Sequence, residues 1–431
     1  MECATKTKKS MPLYVKIFIG LGAGVVFGFV LNKIGGTDNA MINGYVLPLL
    51  QFLGDLLVRL IKMVVVPLVF FSIIDAALSL GDIKKLANVG VKTIVWFLAT
   101  GMISATIGLI FTNLIQPGKG LQLGTAVSNV EAKELPGFYA TLLDLLPSNP
   151  FDSLASGSMM QIIVFSLFLG FAIIMIGDRA QSLKDGIHLL SEAMFNIINM
   201  IVGFTPIGVF GLMSVTMAKY GTAIFGPVLK FILTDYISSI TMSVVVYSIL
   251  LTVFARVSPL MFWKKAFESW IIAFSTCTSS AALPVSMKIA PKKMGASSDI
   301  SNFVLPFGCT AQMNGTCAYF GVVILFAAQL YGVQLSIQQQ VMLVIQATFL
   351  SVGCAATPQI GLIISLTLMA QMGLPLDAYA LVAGIYRIVD QIHTATNSVG
   401  DLVCTVCVSN MEGELNHKVF NDPNAGVEDA A

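Results

Sequence analysis

Long apolar stretches recur along the chain, and each is close to the length that a helix needs to cross a bilayer. A helix rises about 1.5 Å per residue, so about 20 apolar residues span the hydrocarbon. Several stretches are longer than that, which predicts tilted helices. The predicted transmembrane spans are Leu13–Leu31, Val46–Leu80, Val91–Ile115, Met160–Ile176, Phe195–Met217, Ile224–Phe254, Phe303–Leu330 and Tyr379–Val408.

Two further apolar segments are interrupted, and their arms are too short to cross a bilayer. Small and polar residues with a proline break Trp270–Ile289 at Ser275–Pro284, and Val341–Met369 at Ser351–Gly361. Apolar arms of about 10–14 residues are typical of re-entrant hairpins, whose tips need protein or water around their backbone groups. A proline-kinked helix is the alternative. Each interrupted segment precedes a long helix, so the pattern predicts a hairpin–helix unit that occurs twice.

The composition also favours a membrane protein. Hydrophobic residues make up 56% of the chain and charged residues 11%, against roughly 25% charged residues in soluble domains. The net charge is +1, and the chain has neither a basic stripe nor zinc-finger spacing, so nothing supports a nucleic acid partner. Lysines before and at the start of the first span predict a cytoplasmic N-terminus. No small-residue cleavage site follows that span, which favours an uncleaved helix.

The cysteines do not indicate a disulfide framework. Their number is seven, which is odd, and six of them lie in apolar segments. Cys404 and Cys407 have the spacing of a CxxC motif, but they fall within a predicted membrane helix. Two small residues that pack between helices are the more common interpretation of such a pair than a redox or metal site.

Polar residues recur within the last span at intervals of three, one, three and four residues. This spacing places them along one stripe of a helix. An ionisable side chain at membrane depth costs roughly 2.5 kcal/mol or more. The stripe therefore predicts a polar site inside the protein that faces a cavity or a bound cation. Its members are Asp390, His393, Thr394, Asn397 and Asp401.

Broken helices near this stripe would supply complementary groups. The N–H groups at the tip around Ser279 attract a carboxylate, and carbonyls around Gly308–Gln312 and Ser351–Cys354 coordinate a hard cation such as Na⁺. Asp401 would add a full negative charge and Asn397 a neutral oxygen. No lysine or arginine lies within one turn of Asp401, so the pattern favours cation ligation there.

The sequence allows two roles each for Asp390 and His393. Arg387 lies three residues before Asp390, so the pair could form a simple salt bridge. Alternatively, Asp390 receives an ammonium group from a substrate. Histidine titrates near neutral pH in water, so His393 either takes up protons or serves as a hydrogen-bonding wall residue.

The ordered set of these motifs resembles the dicarboxylate/amino acid:cation symporters, the glutamate-transporter-like family. The resemblance extends over roughly residues 12 to 410. In the second half, the matching blocks are Ser275–Pro284, Gly308–Gly315, Ser351–Gly361 and Asp390–Asp401. In the first half, they are Gly54–Met63 through Pro67, and Thr205–Phe210.

The resemblance implies an all-α polytopic membrane protein with eight transmembrane helices, two re-entrant hairpins, inverted repeats and an elevator mechanism. It implies a homotrimer in the plasma membrane, which is the inner membrane of a Gram-negative cell. The second, fourth and fifth spans would form a fixed scaffold, whereas the third and sixth would join the moving domain. The expected divisions are a tail at 1–11, helices one to six at 12–255, a transport core at 256–410 and a polar tail at 411–431.

The resemblance also assigns roles to residues. The substrate's α-amino group would meet Asp390, and its α-carboxylate the tip at Ser279 and Ser280 together with Asn397. The pocket would be lined by Thr316, Thr357, His393 and Thr394. One Na⁺ would bind Asp401, Asn397 and carbonyls of Gly308 and Gln312. A second would bind Thr310, Met313 and carbonyls of Ser351, Val352 and Cys354, and the second hairpin would be the gate.

Departures from the family pattern point to a different substrate. His393 stands where members that carry acidic amino acids have arginine, and Cys277 stands where some have arginine at the first tip. A substrate side-chain carboxylate would lack its permanent cation and would bear a large desolvation cost. We therefore expect a neutral small or polar amino acid. The alternative is that Arg387 supplies the charge for an acidic or larger zwitterionic substrate.

Other departures concern ion coupling. Asn314 stands where the family has aspartate, and Phe97 and Gly101 stand where helix three has tyrosine and serine. Fewer coupled Na⁺ ions are therefore expected than in the glutamate carriers. A proton-coupled or uncoupled carrier and an ion channel are the competing functions. An intramembrane protease is rejected, because Asp390 and Asp401 lie eleven residues apart, which is about 16 Å along a helix.

Overall fold

The computed structural model describes residues 13–78, 83–120, 143, 146–352, 360–375 and 377–426. These residues are helical and include no strand. The helices that lie before the first hairpin are α1 (Leu13–Lys33), α2 (Leu47–Leu78), α3 (Ile83–Ile115), α4 (Pro150–Ser156), α5 (Met159–Ile176), α6 (Gln181–Tyr220), α7 (Phe225–Ile240) and α8 (Tyr247–Leu250). Those that follow are α9 (Pro259–Thr276), α10 (Ser279–Lys292), α11 (Ser298–Ala311), α12 (Asn314–Leu330), α13 (Ile337–Val352), α14 (Ile360–Gln371), α15 (Asp377–Met411) and α16 (His417–Asn421).

Each of the predicted spans corresponds to a helical region of the fold, although α6 begins well before the apolar stretch that predicts it. Short π-helical turns continue α7 and α8 without a break as far as Ala255. By length and composition, four helical stretches of the described chain could cross a membrane: Asn88–Ile115, Gln161–Met194, Gly203–Ala255 and Ser298–Leu330. Shorter apolar helices are Phe18–Lys33, Ile42–Leu57, Val66–Asp75 and Ile360–Gln371. The number of eight crossings stays a prediction.

The helices pack in two groups. Helices α1, α2, α5 and α6 pack together, and α1 approaches α6 so closely that a methyl group on Gly28 would overlap the carbonyl of Ser214. The second group surrounds α15, which contacts α7, α9, α10, α11 and α12, while α3 packs along α12. Every residue from Ile392 to Ser409 is buried, so the polar half of α15 lies at the centre of this group.

Helices α9 and α10 form the first predicted hairpin. The hydroxyl oxygens of Ser269 and Ser286 lie 2.7 Å apart across it. The predicted interruption of ten residues is too long, because only Cys277 and Thr278 separate the two helices. Alanine and leucine after the serines favour helix, and two residues suffice to reverse the chain here: Cys277 in the left-handed region and Thr278 in extended conformation.

The predicted span Phe303–Leu330 is not one helix. It is interrupted at Gln312, whose backbone is extended, and at Met313, whose backbone is also non-helical, so these two residues separate α11 from α12. Neither residue is a glycine or proline, so the break has no simple sequence signal. Helices α13 and α14 correspond to the arms of the second hairpin. Its tip, residues 353–359 with Cys354 and Thr357, lies outside the described residues, as does most of the predicted polar loop Gln116–Pro150.

The segment after α15 packs against the base of the first hairpin. The Lys265 ammonium is buried and donates to the carbonyls of Lys293 at 2.5 Å, Val419 at 3.0 Å and Phe420 at 2.7 Å. Its nitrogen also lies 5.4 Å from the centre of the Phe420 ring. Residue 420 is therefore part of the folded core, although the sequence predicts a polar tail from residue 411.

Candidate functional site

The predicted stripe on α15 is buried at every position. The exposed fractions are 6% for Asp390, 0% for His393, 6% for Thr394, 3% for Asn397 and 4% for Asp401. The stripe therefore lies inside the protein, as expected from its polarity, and its role as a binding site stays a prediction. Asp390 and Thr394 are neighbours on it, with the Thr394 hydroxyl 3.4 Å from Oδ1 of Asp390.

The tip of the first hairpin places the start of a helix near this stripe. Ser279 is buried and is the first residue of α10, after an extended Thr278 whose side chain makes no capping hydrogen bond. Backbone N–H groups in the first turn of a helix have no intrahelical partner and attract anions. Ser280 is exposed, and its hydroxyl oxygen lies 3.9 Å from the sulfur of Cys309.

Arg387 contacts the opposite side of the same tip. Its Nη2 donates to the carbonyl of Thr276 at 3.2 Å and more weakly to that of Ser275 at 3.5 Å. These carbonyls belong to the last turn of α9, which ends at Cys277 in the left-handed region with φ of 55°. A cation at a helix C-terminus is favourable, so Arg387 caps α9 from helix α15.

Asn397 connects the stripe to the break between α11 and α12. Its Oδ1 accepts from the backbone N–H of Gly315 at 2.7 Å, a group at the start of α12 that lacks an intrahelical partner. Its Nδ2 lies 3.2 Å from the sulfur of Met313 and 3.3 Å from the Thr316 hydroxyl. The predicted site residues Asn397, Met313 and Thr316 therefore meet at this break, and Thr394 lies one turn before Asn397 on α15.

Asp401 lies against the end of α11. A methyl group on Gly308 would overlap Oδ1 of Asp401. With its amide assigned to satisfy the hydrogen bonds, Gln312 donates to Oδ1 of Asp401 at 3.1 Å and to the carbonyl of Gly400 at 3.2 Å. No basic residue among those described pairs with Asp401. A buried carboxylate in this setting, beside carbonyls of a helix end, suits a hard cation.

The residues of the second predicted Na⁺ site are only partly placed. Met313 is buried at the break, whereas Thr310 is exposed and its hydroxyl donates to the carbonyl of Phe307 at 3.0 Å. Ser351 is buried at the end of α13, and Val352 is the last residue of that helix. Within the described ranges there is also no group of three or more His, Cys, Asp and Glu residues that could hold a metal.

A neutral hydrogen-bond network surrounds Asn314, which stands where the family has an aspartate. The Thr100 hydroxyl donates to Oδ1 of Asn314 at 3.3 Å, and Nδ2 of Asn314 donates to the Tyr247 hydroxyl at 2.9 Å. Tyr247 in turn donates to the carbonyl of Thr396 at 3.1 Å. Amide and hydroxyl groups thus satisfy one another here, and the smaller number of coupled ions stays a prediction.

The sequence analysis missed Asp235, which is the partner of His393. Oδ2 of Asp235 on α7 lies 2.7 Å from Nε2 of His393, and the side chains are 0% and 1% exposed. The signal in the sequence was available, because Asp235 is the sole acidic residue of the predicted span Ile224–Phe254. An ionisable residue in the middle of such a span is a candidate for function by default.

Several known transport proteins are similar to this chain over nearly its whole length. The sequence profile of the Sodium:dicarboxylate symporter family matches residues 13–411. A proton/sodium-glutamate symport protein of Bacillus caldotenax is 32% identical over 413 residues, which cover 94% of this chain and 95% of the relative. The proton/glutamate-aspartate symporter of Escherichia coli K12 is 32% identical over 91% of this chain and 92% of its own. A C4-dicarboxylate transport protein of Rhodospirillum rubrum is 28% identical over 94% and 89%.

Proposed function

This chain belongs to the Sodium:dicarboxylate symporter family, and on that basis we propose that it is a secondary active transporter of a neutral small or polar amino acid, driven by Na⁺. The relatives named above are all transport proteins, and those from Bacillus caldotenax and Escherichia coli are named as cation-coupled symporters. The identity of the amino acid class and of the ion is the part of the proposal that goes beyond them.

The observation that carries the substrate class is the pairing of His393. Its Nε2 is already bound to the carboxylate of Asp235, so any positive charge on the imidazole is compensated inside the protein. Arg387, which lies one turn before Asp390 on the same helix, donates to the carbonyls of the hairpin tip. A second substrate carboxylate would have to displace one of these interactions, whereas a hydroxyl or amide side chain would not.

The ammonium and carboxylate groups of the substrate amino acid would bind at the carboxylate of Asp390 and at the tip of the first hairpin. The carboxylate of Asp390 would receive its ammonium group, and the N–H groups at Ser279 would receive its carboxylate, aided by Asn397. Both kinds of interaction are charge-assisted, so they would orient the substrate with its side chain directed away from them. Thr316, Thr394 and, from the second hairpin tip, Thr357 would line the site.

Sodium would be carried with the substrate at Asp401. The carboxylate is buried, and the carbonyls at the end of α11 supply the neutral oxygens that hard cations prefer. Asn397 would couple the two sites, because it lies on the substrate stripe and also bonds the start of α12. A second ion would use Thr310, Met313, Ser351, Val352 and Cys354, and no third ion is proposed at Asn314.

The assembly and the motion belong to the same proposal. The protein would be a homotrimer in the plasma membrane with a cytoplasmic N-terminus. In each subunit, residues 256–410 together with α3, α7 and α8 would move as the transport domain. The buried packing of α7 and α9 to α12 around α15 supports such a rigid unit. The inverted repeats and the eight crossings are likewise proposals.

An acidic substrate is the second candidate function. The relatives from Bacillus caldotenax and Escherichia coli are named for glutamate and aspartate, and the one from Rhodospirillum rubrum for C4-dicarboxylates. Arg387, at 3.2 Å from the Thr276 carbonyl, is the cation that would then serve the side chain.

Thermal unfolding of the purified protein separates these candidates. Neutral amino acids such as L-serine should raise the unfolding temperature in Na⁺ and less so in its absence, because a ligand that binds only the folded state stabilises it. A rise with L-aspartate or L-glutamate alone would overturn the neutral substrate. Counterflow in proteoliposomes distinguishes a carrier from a channel, since a pore does not exchange substrate.

A further inference from the structure

Asp235 occupies an unusual position for a carboxylate. It lies in the second half of α7, is 0% exposed, and the buried residues one turn away on the same helix, Phe231 and Ser238, are uncharged. Placing a charged group in such surroundings is costly unless a partner compensates it. The partner is His393, whose Nε2 lies 2.7 Å from Oδ2 of Asp235, across 158 positions of the sequence.

The contact of α15 with α7, and with the π-helical turn and α8 that continue α7, does not depend on this pair alone. The Tyr236 hydroxyl donates to the carbonyl of Ile388 at 2.8 Å, and the hydroxyl oxygens of Ser243 and Thr396 lie 2.9 Å apart. Tyr247 bonds the carbonyl of Thr396 further along. Because neutral groups already join the two helices, a buried charge at Asp235 needs a reason of its own.

The surroundings of Asp235 and His393 indicate that the carboxylate acts by fixing the position and the charge of the imidazole ring. The imidazole ring centre lies 4.9 Å from that of Tyr319 and 6.2 Å from that of Tyr386, so aromatic rings restrict its position. The carboxylate fixes the ring through Nε2 and compensates a charge on it. Oδ1 of Asp235 and Nδ1 of His393 have no hydrogen-bond partner within the described part of the protein. Buried polar atoms of this kind usually find one.

We infer that Asp235 is a positioning residue that determines substrate specificity through His393. It makes the side-chain end of the substrate site neutral overall, so that a second carboxylate finds no cation there, and it leaves two polar atoms for a hydroxyl or amide. The inference deepens the proposed function and rests on it for the location of the substrate. It predicts that a cationic side chain at position 393 does not increase the affinity for acidic substrates while Asp235 is present.

A double-mutant cycle on the full-length protein tests this inference. The variants are His393→Arg, Asp235→Asn and the two combined, and the affinities for L-aspartate and L-serine come from ligand-dependent thermal unfolding of the purified proteins. We expect His393→Arg alone to gain little affinity for L-aspartate, because Asp235 pairs with the new guanidinium. The double variant should bind L-aspartate at least about tenfold more tightly than His393→Arg does.

Tyr236→Phe is the matched control. It removes the neighbouring hydrogen bond between α7 and α15 without changing a charge, so the ratio of L-aspartate to L-serine affinity should stay as in the wild type. A purely structural role of Asp235 would lower both affinities together. Equal affinity of the double variant and of His393→Arg for L-aspartate would overturn the inference. His393→Arg with Asp235→Ser repeats the test with a second neutral side chain, in case one combination does not fold.

The proposed function is tested by a different comparison, that of the wild-type protein with L-serine and with L-aspartate. A wild-type protein that responds to L-aspartate and not to L-serine overturns the neutral substrate. The role of Asp235 is tested only by the difference in L-aspartate affinity between the double variants and His393→Arg. The proposed function and the role of Asp235 can therefore fail separately.

Discussion

Gly308 and Asp401 are in such close contact that no larger residue fits between them. A Cβ atom at position 308 would overlap Oδ1 of Asp401, and the ring of Phe97 closes the space from the other side at 3.2 Å from that Cβ position. The carboxylate therefore lies directly on the backbone of α11, next to the carbonyls of its last turn. In the proposed function, this contact determines where Na⁺ would be held.

Gly308→Ala should disturb the proposed Na⁺ site without removing a ligand. The added methyl group displaces the Asp401 carboxylate, and we expect the Na⁺ concentration for half-maximal uptake to rise by about tenfold, as for other changes that reorient a ligand. Uptake in proteoliposomes at varied Na⁺ measures it. Gly226→Ala is the control, because its Cβ would meet nothing within 4 Å. Equal Na⁺ dependence of the two variants would contradict the assignment.

Asp401→Asn should weaken Na⁺ dependence further. The substitution keeps the size of the side chain and removes the one full charge that faces the end of α11. We expect a rise of more than about tenfold in the Na⁺ concentration required. Asp299→Asn, at an exposed carboxylate in the first turn of the same helix, controls for the loss of a charge alone. Unchanged activation by Na⁺ in Asp401→Asn would refute its role.

Asp390→Asn should reduce substrate affinity while it leaves Na⁺ binding largely intact. A hydrogen bond to a charged group contributes roughly 1.5–3 kcal/mol, so the KM for the amino acid should rise by about tenfold or more. Transport kinetics at saturating Na⁺ give this value. If KM stayed constant and only the maximal rate fell, the carboxylate would not receive the substrate ammonium group.

Lys265→Met should destabilise the folded protein. The variant leaves the carbonyls of Lys293, Val419 and Phe420 without their shared donor, and the loss should amount to about 2 kcal/mol or more. A lower thermal unfolding temperature of the purified protein would show it. Lys264→Met is the matched control, because that neighbouring lysine is exposed. The same unfolding temperature for both variants would show that the buried contacts add nothing.

The helices and the polar stripe could be predicted because both follow from local rules. Apolar length marked the helical regions, and the helical period brought Asp390 and Asp401 to one face of α15. Burial of the stripe then follows from the high cost of leaving it in contact with lipid. These inferences need no knowledge of which helix lies next to which.

The partners of these residues could not be predicted in the same way. The contact of Asp235 with His393 joins residues 158 positions apart, and that of Arg387 with the Thr276 carbonyl joins residues 111 apart. Such pairs depend on how helices pack, which the spacing along one helix does not encode. The break at Gln312 has the same origin, since the Gln312 amide donates to Asp401 and Asn397 accepts from the backbone N–H of Gly315. Both hydrogen bonds depend on how α15 packs against α11 and α12.

The buried ammonium of Lys265 has a consequence for the order in which the protein matures. Its acceptors at Val419 and Phe420 are 154 and 155 residues downstream, so they leave the ribosome long after the hairpin itself. Until then only Lys293 of its three carbonyl acceptors has been synthesised, and an ammonium group with too few acceptors is costly to bury. The base of the first hairpin therefore closes late in biosynthesis, when α16 docks, and a nascent chain that stops before residue 419 keeps it open.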